Sequence, residues 1–276
     1  MGRDPIEGKA INGNCIWGAG MKLLINGVMQ DDLAKLPYSN SLLRGDGLFE
    51  TILTVDQKVV AWDRHYARLE KSAKQILITL PARIDIEVGI EKILANATGE
   101  SRLRLNVLAD GDWFITLEPV SEGKESISLM KINEPKISNG ALSGTKSISY
   151  GESLLAVRKA SAAGFDDGIF LNENADVVET ALSNLLILTE DGWLTPPLST
   201  GCLPGISREL LIKWFEVSER EYKFEELLDA KAVYATSSIR LIQPVGKVED
   251  RLFDKNLLGE ELIENFRSKL FSNMNP

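Results

Sequence analysis

Short β-rich runs alternate with amphipathic helical runs along nearly the whole chain, and this alternation restricts the fold more than any single motif. An apolar period of two suits a pleated strand, and a period near 3.6 suits a helix packed on it, so an α/β (α+β) architecture follows. Residues 21–27 read as the first strand. The runs 49–55 and 58–62 form a predicted hairpin about Asp56-Gln57. Asp63 is expected to cap a helix with Tyr66, Leu69, Ala73, Ile76 and Leu77 at helical spacing. Asp85 is expected to cap a second helix, with Ile86, Ile90, Ile93, Leu94 and Ala97 on one face. Strands are expected at 102–108, 113–117, 127–132, 168–172, 177–178, 185–189 and 232–236, with a hairpin turn at Asp191-Gly192. Further helices span 152–163, with Gly164 as C-cap, open at Pro204-Gly205, and close the chain at 257–270. The resulting division is a disordered leader or added segment at 1–20, an N-terminal α/β domain at 21–134, a linker at 135–140, and a C-terminal α/β domain at 141–276.

Charge narrows the function. Forty acidic residues against 31 basic ones leave a net charge of −9, so nucleic acid and anionic membrane surfaces are repelled at long range. No nucleic-acid or membrane partner is expected, and an anionic substrate must be gripped by local groups. The two cysteines, Cys15 and Cys202, lie far apart, and with a single histidine, His65, they exclude a structural zinc site. No metal ligand set is assigned. The one histidine also argues against Ser–His or Cys–His hydrolysis and reads as a structural or surface residue. No run approaches a membrane span and no signal peptide is visible, so a reducing cytoplasm is the expected compartment.

Three segments carry chemistry. Arg44-Gly45-Asp46-Gly47 sets two glycines around an acid before a strand, which on its own is a plain loop. Gly201 to Ser207 leads into a helix, whose free N–H groups favour an anion, with the Ser207 hydroxyl as a further donor. Thr236-Ser237-Ser238 is a second hydroxyl cluster able to face the same anion. Gly144 to Tyr150 sets Lys146 among small polar residues; taken alone, such a lysine is more often a solvated surface charge.

Taken in order, these segments resemble the class IV aminotransferase family, the fold type IV pyridoxal-phosphate enzymes. That family includes aminodeoxychorismate lyases and the D-amino-acid and branched-chain aminotransferases. The resemblance runs from about Met21 to the end of the chain. It is carried by Arg44 to Thr51, by His65-Tyr66-Ala67-Arg68-Leu69, by Gly144 to Tyr150, by Val177 to Asn184, and by Thr195-Pro196-Pro197 through Ser207. It implies a two-domain enzyme with pyridoxal 5'-phosphate bound as a Schiff base to Lys146, the catalytic residue. Glu179 would contact the ring nitrogen, and Arg68 would hold the phosphate as a charged fork, an ion pair with Glu70 being its ordinary alternative. Gly205, Ile206, Ser207 and Ser238 would complete the phosphate cradle, Tyr150 would sit near the ring oxygen, and Ser183 and Asn184 would flank the site.

Two reactions share this machinery. The stretches 41–47, 61–63 and 238–245 look most like the lyase members, which implies elimination of pyruvate from 4-amino-4-deoxychorismate to give 4-aminobenzoate, a step of folate biosynthesis. The alternative is an aminotransferase acting on D-amino acids, branched-chain amino acids or amines. A third reading is a non-catalytic relative that binds a phosphate-bearing ligand; the joint presence of Lys146 and Glu179 argues against it. Many relatives carry an Arg-Gly pair where this chain has Asp110-Gly111, an acid that would repel a substrate carboxylate. Arg44, Arg104 and Arg240 are then the candidates for binding it. A homodimer with a small-molecule amino substrate is the expected assembly.

Overall fold

A computed structural model describes residues 21–30, 39–121 and 123–276; the expected leader at 1–20, with Cys15, lies outside them. β1 (Lys22–Ile25) turns through Asn26-Gly27 into β2 (Val28–Gln30). α1 (Asn40–Arg44) is a short helix whose Leu42 N–H donates to Ser39 Oγ. β3 (Gly47–Val55) and β4 (Lys58–Val59) form the expected hairpin, with Val55 opposite Lys58. α2 (Trp62–Gln75) and α3 (Arg83–Leu94) precede the long antiparallel pair β5 (Glu100–Leu108) and β6 (Trp113–Pro119). The six strands make one antiparallel sheet in the order β2-β1-β6-β5-β3-β4.

The period of two along β5 decides what each face of this sheet does. Leu103, Leu105 and Val107 are fully buried against Leu69, Ala73, Ile86 and Ile90 of the two helices. Arg102 and Arg104 alternate with them and therefore face away from that core. Each fully buried aliphatic side chain contributes about 1.5–3 kcal/mol, so the register is strongly held.

The remaining strands build a second sheet. β7 (Ile127–Lys131), α4 (Gly151–Ala162), β8 (Asp167–Leu171), β9 (Val177–Thr180), β10 (Asn184–Thr189) and β11 (Gly192–Thr195) are followed by α5 (Ile206–Trp214). β12 (Ser218–Glu219), α6 (Phe224–Asp229), β13 (Ala232–Ser237), β14 (Leu241–Val248), β15 (Arg251–Leu252) and α7 (Leu257–Ser272) complete the chain. Their order is β12-β11-β10-β13-β14-β7-β8-β9, with β15 on β14. Among the described residues no helix is long and apolar enough to cross a membrane.

Several expectations need correction. β7, assigned by sequence to the first domain, lies parallel between β14 and β8, so the boundary falls between β6 and β7. The segment 135–140 is not a free linker: the Lys136 N–H donates to Leu171 O at 2.8 Å, and Lys136 bridges to Asn172. Asp63 and Asp85 sit in the first turns of α2 and α3 rather than at their caps, which are Ala61 and Ala82. An acid there still favours the positive helix end, which is why both positions read as starts. Leu77 lies past the end of α2 at positive φ and is 91% exposed. The β10–β11 turn is at Glu190-Asp191, since Thr189 pairs with Gly192.

The two sheets are joined by backbone and by a shared core. Phe49 N–H donates to Lys146 O at 2.9 Å, and Ile148 N–H to Gly47 O at 3.0 Å. Gly47 is required by this close approach: a Cβ there would lie 2.6 Å from Val107 O. Leu53 of β3 and Val60 and Ala61 of the turn into α2 pack with Leu210 of α5 and Leu262, Phe266 and Leu270 of α7.

Candidate active site

Between the two sheets lies a cavity of about 950 Å³, and the seam of hydrogen bonds between β3 and the lysine segment runs along its wall. Lys146 is thereby held on backbone from both halves of the chain. Its Nζ lies 4.4 Å from the centroid of the Phe49 ring, and the Arg104 guanidinium lies 4.0 Å from the same centroid. Burial, with repulsion from Arg68 and Arg104, brings the Lys146 ammonium down to about 8 against the partial opposition of Glu50 and Glu179. An amine in that range has a far larger neutral fraction near physiological pH than a free lysine, and that fraction can act as nucleophile or base.

Beneath it, α2 presents His65 and Arg68 to the buried Glu50. Arg68 Nε and Nη2 donate to Glu50 Oε1 and Oε2 at 2.9 and 2.5 Å, and His65 Nδ1 lies 2.7 Å from Oε2. Burial alone would raise the Glu50 carboxyl, but Arg68 and His65 outweigh it and hold it at about 2. Burial pushes His65 below its ordinary value, so it is a neutral structural residue. The fork of Arg68 that sequence assigned to a phosphate is thus engaged by Glu50, while Nη1 donates to Pro204 O at 3.0 Å at the cavity wall. Glu50, not Glu70, is its ion-pair partner.

On the opposite side, Glu179 of β9 accepts from Asn184 Nδ2 at 3.1 Å and from Leu203 N–H at 3.0 Å. Its other oxygen is ion-paired with Lys136. Tyr150 Oη donates to Ala181 O at 2.9 Å, with its ring edge-on to Phe49. The N-terminus of α5 opens on the cavity at Gly205 and Ile206, facing Thr236, Ser237 and Ser238 at the end of β13. First-turn N–H groups have no partner within their helix, so this corner is suited to an anion. Gly205 N–H itself turns to Leu203 O at 2.8 Å.

Most of the residues singled out by sequence meet here: Arg68, Lys146, Tyr150, Glu179, Ser183, Asn184, Gly205, Ile206 and Ser238, with Arg104 and Arg240, line one cavity. Two do not. Ser207 turns its hydroxyl to Ser237 O at 2.9 Å, because the first helical turn carries it past the anion corner. Arg44 ends α1, is exposed, and does not line the cavity. The expected repulsion from Asp110 also falls away: it is hydrogen-bonded to Ser39 at the surface, outside the cavity. Sequence reasoning missed Glu50, Arg102 and Lys136. Glu50 lay inside a quoted motif, and Arg102 is two residues before Arg104 on the same strand face, which was a usable signal.

The residues fit pyridoxal phosphate. Among the described residues four buried side-chain polar atoms lack a hydrogen-bond partner; two of them, Thr145 Oγ1 and Ser183 Oγ, belong to residues lining this cavity, while a third, Arg102 Nε, faces Glu118 at 3.4 Å. Orphaned polar groups of that kind are uncommon in folded proteins and mark a place built for a polar ligand. A lysine of lowered basicity, a buried carboxylate for a ring nitrogen and an anion corner for a phosphate are the donor set that this cofactor requires.

Comparison with known proteins agrees. The class IV aminotransferase family model matches residues 47–248. A protein of Methanocaldococcus jannaschii with a provisional branched-chain-amino-acid aminotransferase name is 30% identical, covering 90% of this chain and 96% of that protein. Aminodeoxychorismate lyase of Bacillus subtilis is 28% identical, covering 83% and 87%. The pyridoxal-phosphate-bound structure of a hypothetical aminotransferase from Mycobacterium tuberculosis superposes with a TM-score of 0.83 at 22% identity, covering 92% of this chain and 99% of that one.

Proposed function

Because the chain belongs to the class IV aminotransferase family, whose chemistry runs on pyridoxal phosphate, we propose that it eliminates pyruvate from 4-amino-4-deoxychorismate to give 4-aminobenzoate. The observation that carries this reading is Arg104: it shares a cavity wall with Lys146, stands over the Phe49 ring, and forms no ion pair among the described residues, the nearby Glu118 being paired with Arg102. With Arg240 at the mouth, it offers two cationic groups to a substrate with two carboxylates. The likeness to the Bacillus subtilis lyase supports the same choice.

When bound, the cofactor supplies a sink for the electron pair left at the amine-bearing carbon. Lys146 Nζ takes the proton from that carbon and returns it to the departing pyruvate enolate, a round trip suited to an amine held at about 8. The N-terminus of α5 and Ser238 would hold the phosphate, Glu179 would meet the ring nitrogen, and Arg104 and Arg240 would orient the carboxylates. Aromaticity of the product drives the reaction forward.

The second reading, an aminotransferase, is favoured by the 30% identity to the Methanocaldococcus jannaschii protein over most of both chains. There the same Nζ would carry the proton onward instead of to an enolate. We also propose that the chain pairs as a homodimer: Ile137, Leu142, Leu154 and Leu155 stand exposed around the start of α4 and the segment before it, an apolar surface that pairing would cover.

The test is to supply the cofactor-loaded protein with 4-amino-4-deoxychorismate and follow 4-aminobenzoate fluorescence and pyruvate together. Equal amounts of both, absent in Lys146→Ala, are expected. Keto-acid formation from branched-chain or D-amino acids, with no 4-aminobenzoate, would overturn the lyase and establish the transaminase.

A further inference from the structure

Three lysines, Lys124, Lys136 and Lys146, line the cavity, and the surroundings of the two buried ones differ. Lys146 is flanked by cations and aromatic carbon. Lys136 is ion-paired through Nζ to Glu179 Oε1, with the two side chains 21% and 8% exposed. Its backbone is pinned by the hydrogen bond to Leu171, and its ammonium lies 5.6 Å from the Phe170 ring centroid. The second oxygen of Glu179 accepts from Asn184 and Leu203. Both oxygens of the carboxylate thus already have protein donors. A protonated ring nitrogen approaching Glu179 must share it with a fixed cation, and two cations at one carboxylate repel each other.

From this we infer that Lys136 is a resident counter-ion of Glu179 that competes with the ring nitrogen of the cofactor for it. The inference rests on the reading that Glu179 meets that nitrogen. Glu179, which raises the affinity of Lys136 for its proton against the effect of burial, keeps the competitor charged. Lys136 in this role is a positioning residue: it restrains how firmly Glu179 holds the ring proton, and so how strongly the ring withdraws electrons. It also keeps a buried carboxylate paired whether or not the cofactor is bound.

The test measures binding, not turnover. Dissociation constants are determined for pyridoxal phosphate and for its deaza analogue, in which a C–H replaces the ring nitrogen, on the full chain and on Lys136→Met, Lys136→Gln and Lys136→Arg. The full chain should prefer pyridoxal phosphate. With the competing charge removed in the Met and Gln variants, that preference should rise roughly tenfold, while the Arg variant keeps the original value. An unchanged preference would make Lys136 merely structural, and a reduced one would make it a support that orients Glu179; either overturns the inference while leaving Glu179 in its role. Equal affinity of the full chain for both compounds would remove the ring-nitrogen contact itself, and the inference with it. Melting temperatures of the cofactor-free variants establish that each is folded, and two independent neutral substitutions guard against the loss of one.

Discussion

Replacing Glu50 by glutamine tests whether the charge pair beneath the cavity is as consequential as its geometry indicates. The substitution keeps the shape and removes the charge, so Arg68, only 7% exposed, is left without its counter-ion. The carboxyl is displaced from 4.5 to about 2, and at about 1.4 kcal/mol for each pH unit this corresponds to about 3 kcal/mol. Breaking a buried pair by removing one partner typically costs about 3–5 kcal/mol, in agreement. At about 2–4 °C per kcal/mol for a chain near this size, the melting temperature of the cofactor-free protein should fall by about 6–12 °C at neutral pH. The direction with pH follows from the lowered value: the contribution is complete above 4.5 and is lost as pH falls toward 2. The gap between wild type and Glu50→Gln, read as urea midpoints by circular dichroism, should therefore shrink to less than half by about pH 3. Removing both charges, as Glu50→Gln with Arg68→Met, should return part of the loss. A variant melting within about 2 °C of wild type, or a gap that ignores pH, would refute the reasoning.

Other outcomes follow from the site. Lys146 must be neutral to engage the cofactor aldehyde, so the initial rate of cofactor uptake, followed by absorbance, should rise with pH and level off above about 8; a rise continuing to the range of a free lysine contradicts the burial argument. Gly205→Ala places a Cβ on Asn184 Oδ1 and so disturbs the amide that holds Glu179; the cofactor dissociation constant should increase about tenfold or more, and unchanged binding would show that Asn184 yields freely. Arg104→Leu should raise KM for a carboxylate substrate about 10- to 100-fold with cofactor loading retained, whereas Asp110→Asn should leave KM unaltered because Asp110 lies outside the cavity; an effect of Asp110 on KM would restore the repulsion expected from sequence.

Among the local elements, the β3–β4 hairpin, the helix α5 behind Pro204-Gly205 and the closing helix α7 were legible in the sequence because their signals are local: turn chemistry, capping and apolar period act over a few residues. Lys146, Glu179 and the start of α5 were singled out through the family resemblance, not by their flanking residues alone, and in the fold they line one cavity. Pattern and composition were enough for the alternation of strand and helix and for a chain charge that leaves anion binding to local groups. Which residues meet was set by contacts between segments far apart in the chain. Burial set Arg68, expected to hold a phosphate, beside Glu50, 18 positions away in sequence, at the wall of the cavity. β7 joined the second sheet because its partners β14 and β8 lie later in the chain. Lys136 and Glu179, 43 positions apart, form their ion pair only once β8 and β9 are paired. Local pattern fixes which face of a strand or helix is apolar; which charge stands opposite another depends on contacts distant in sequence, formed as the two sheets close on the cavity between them.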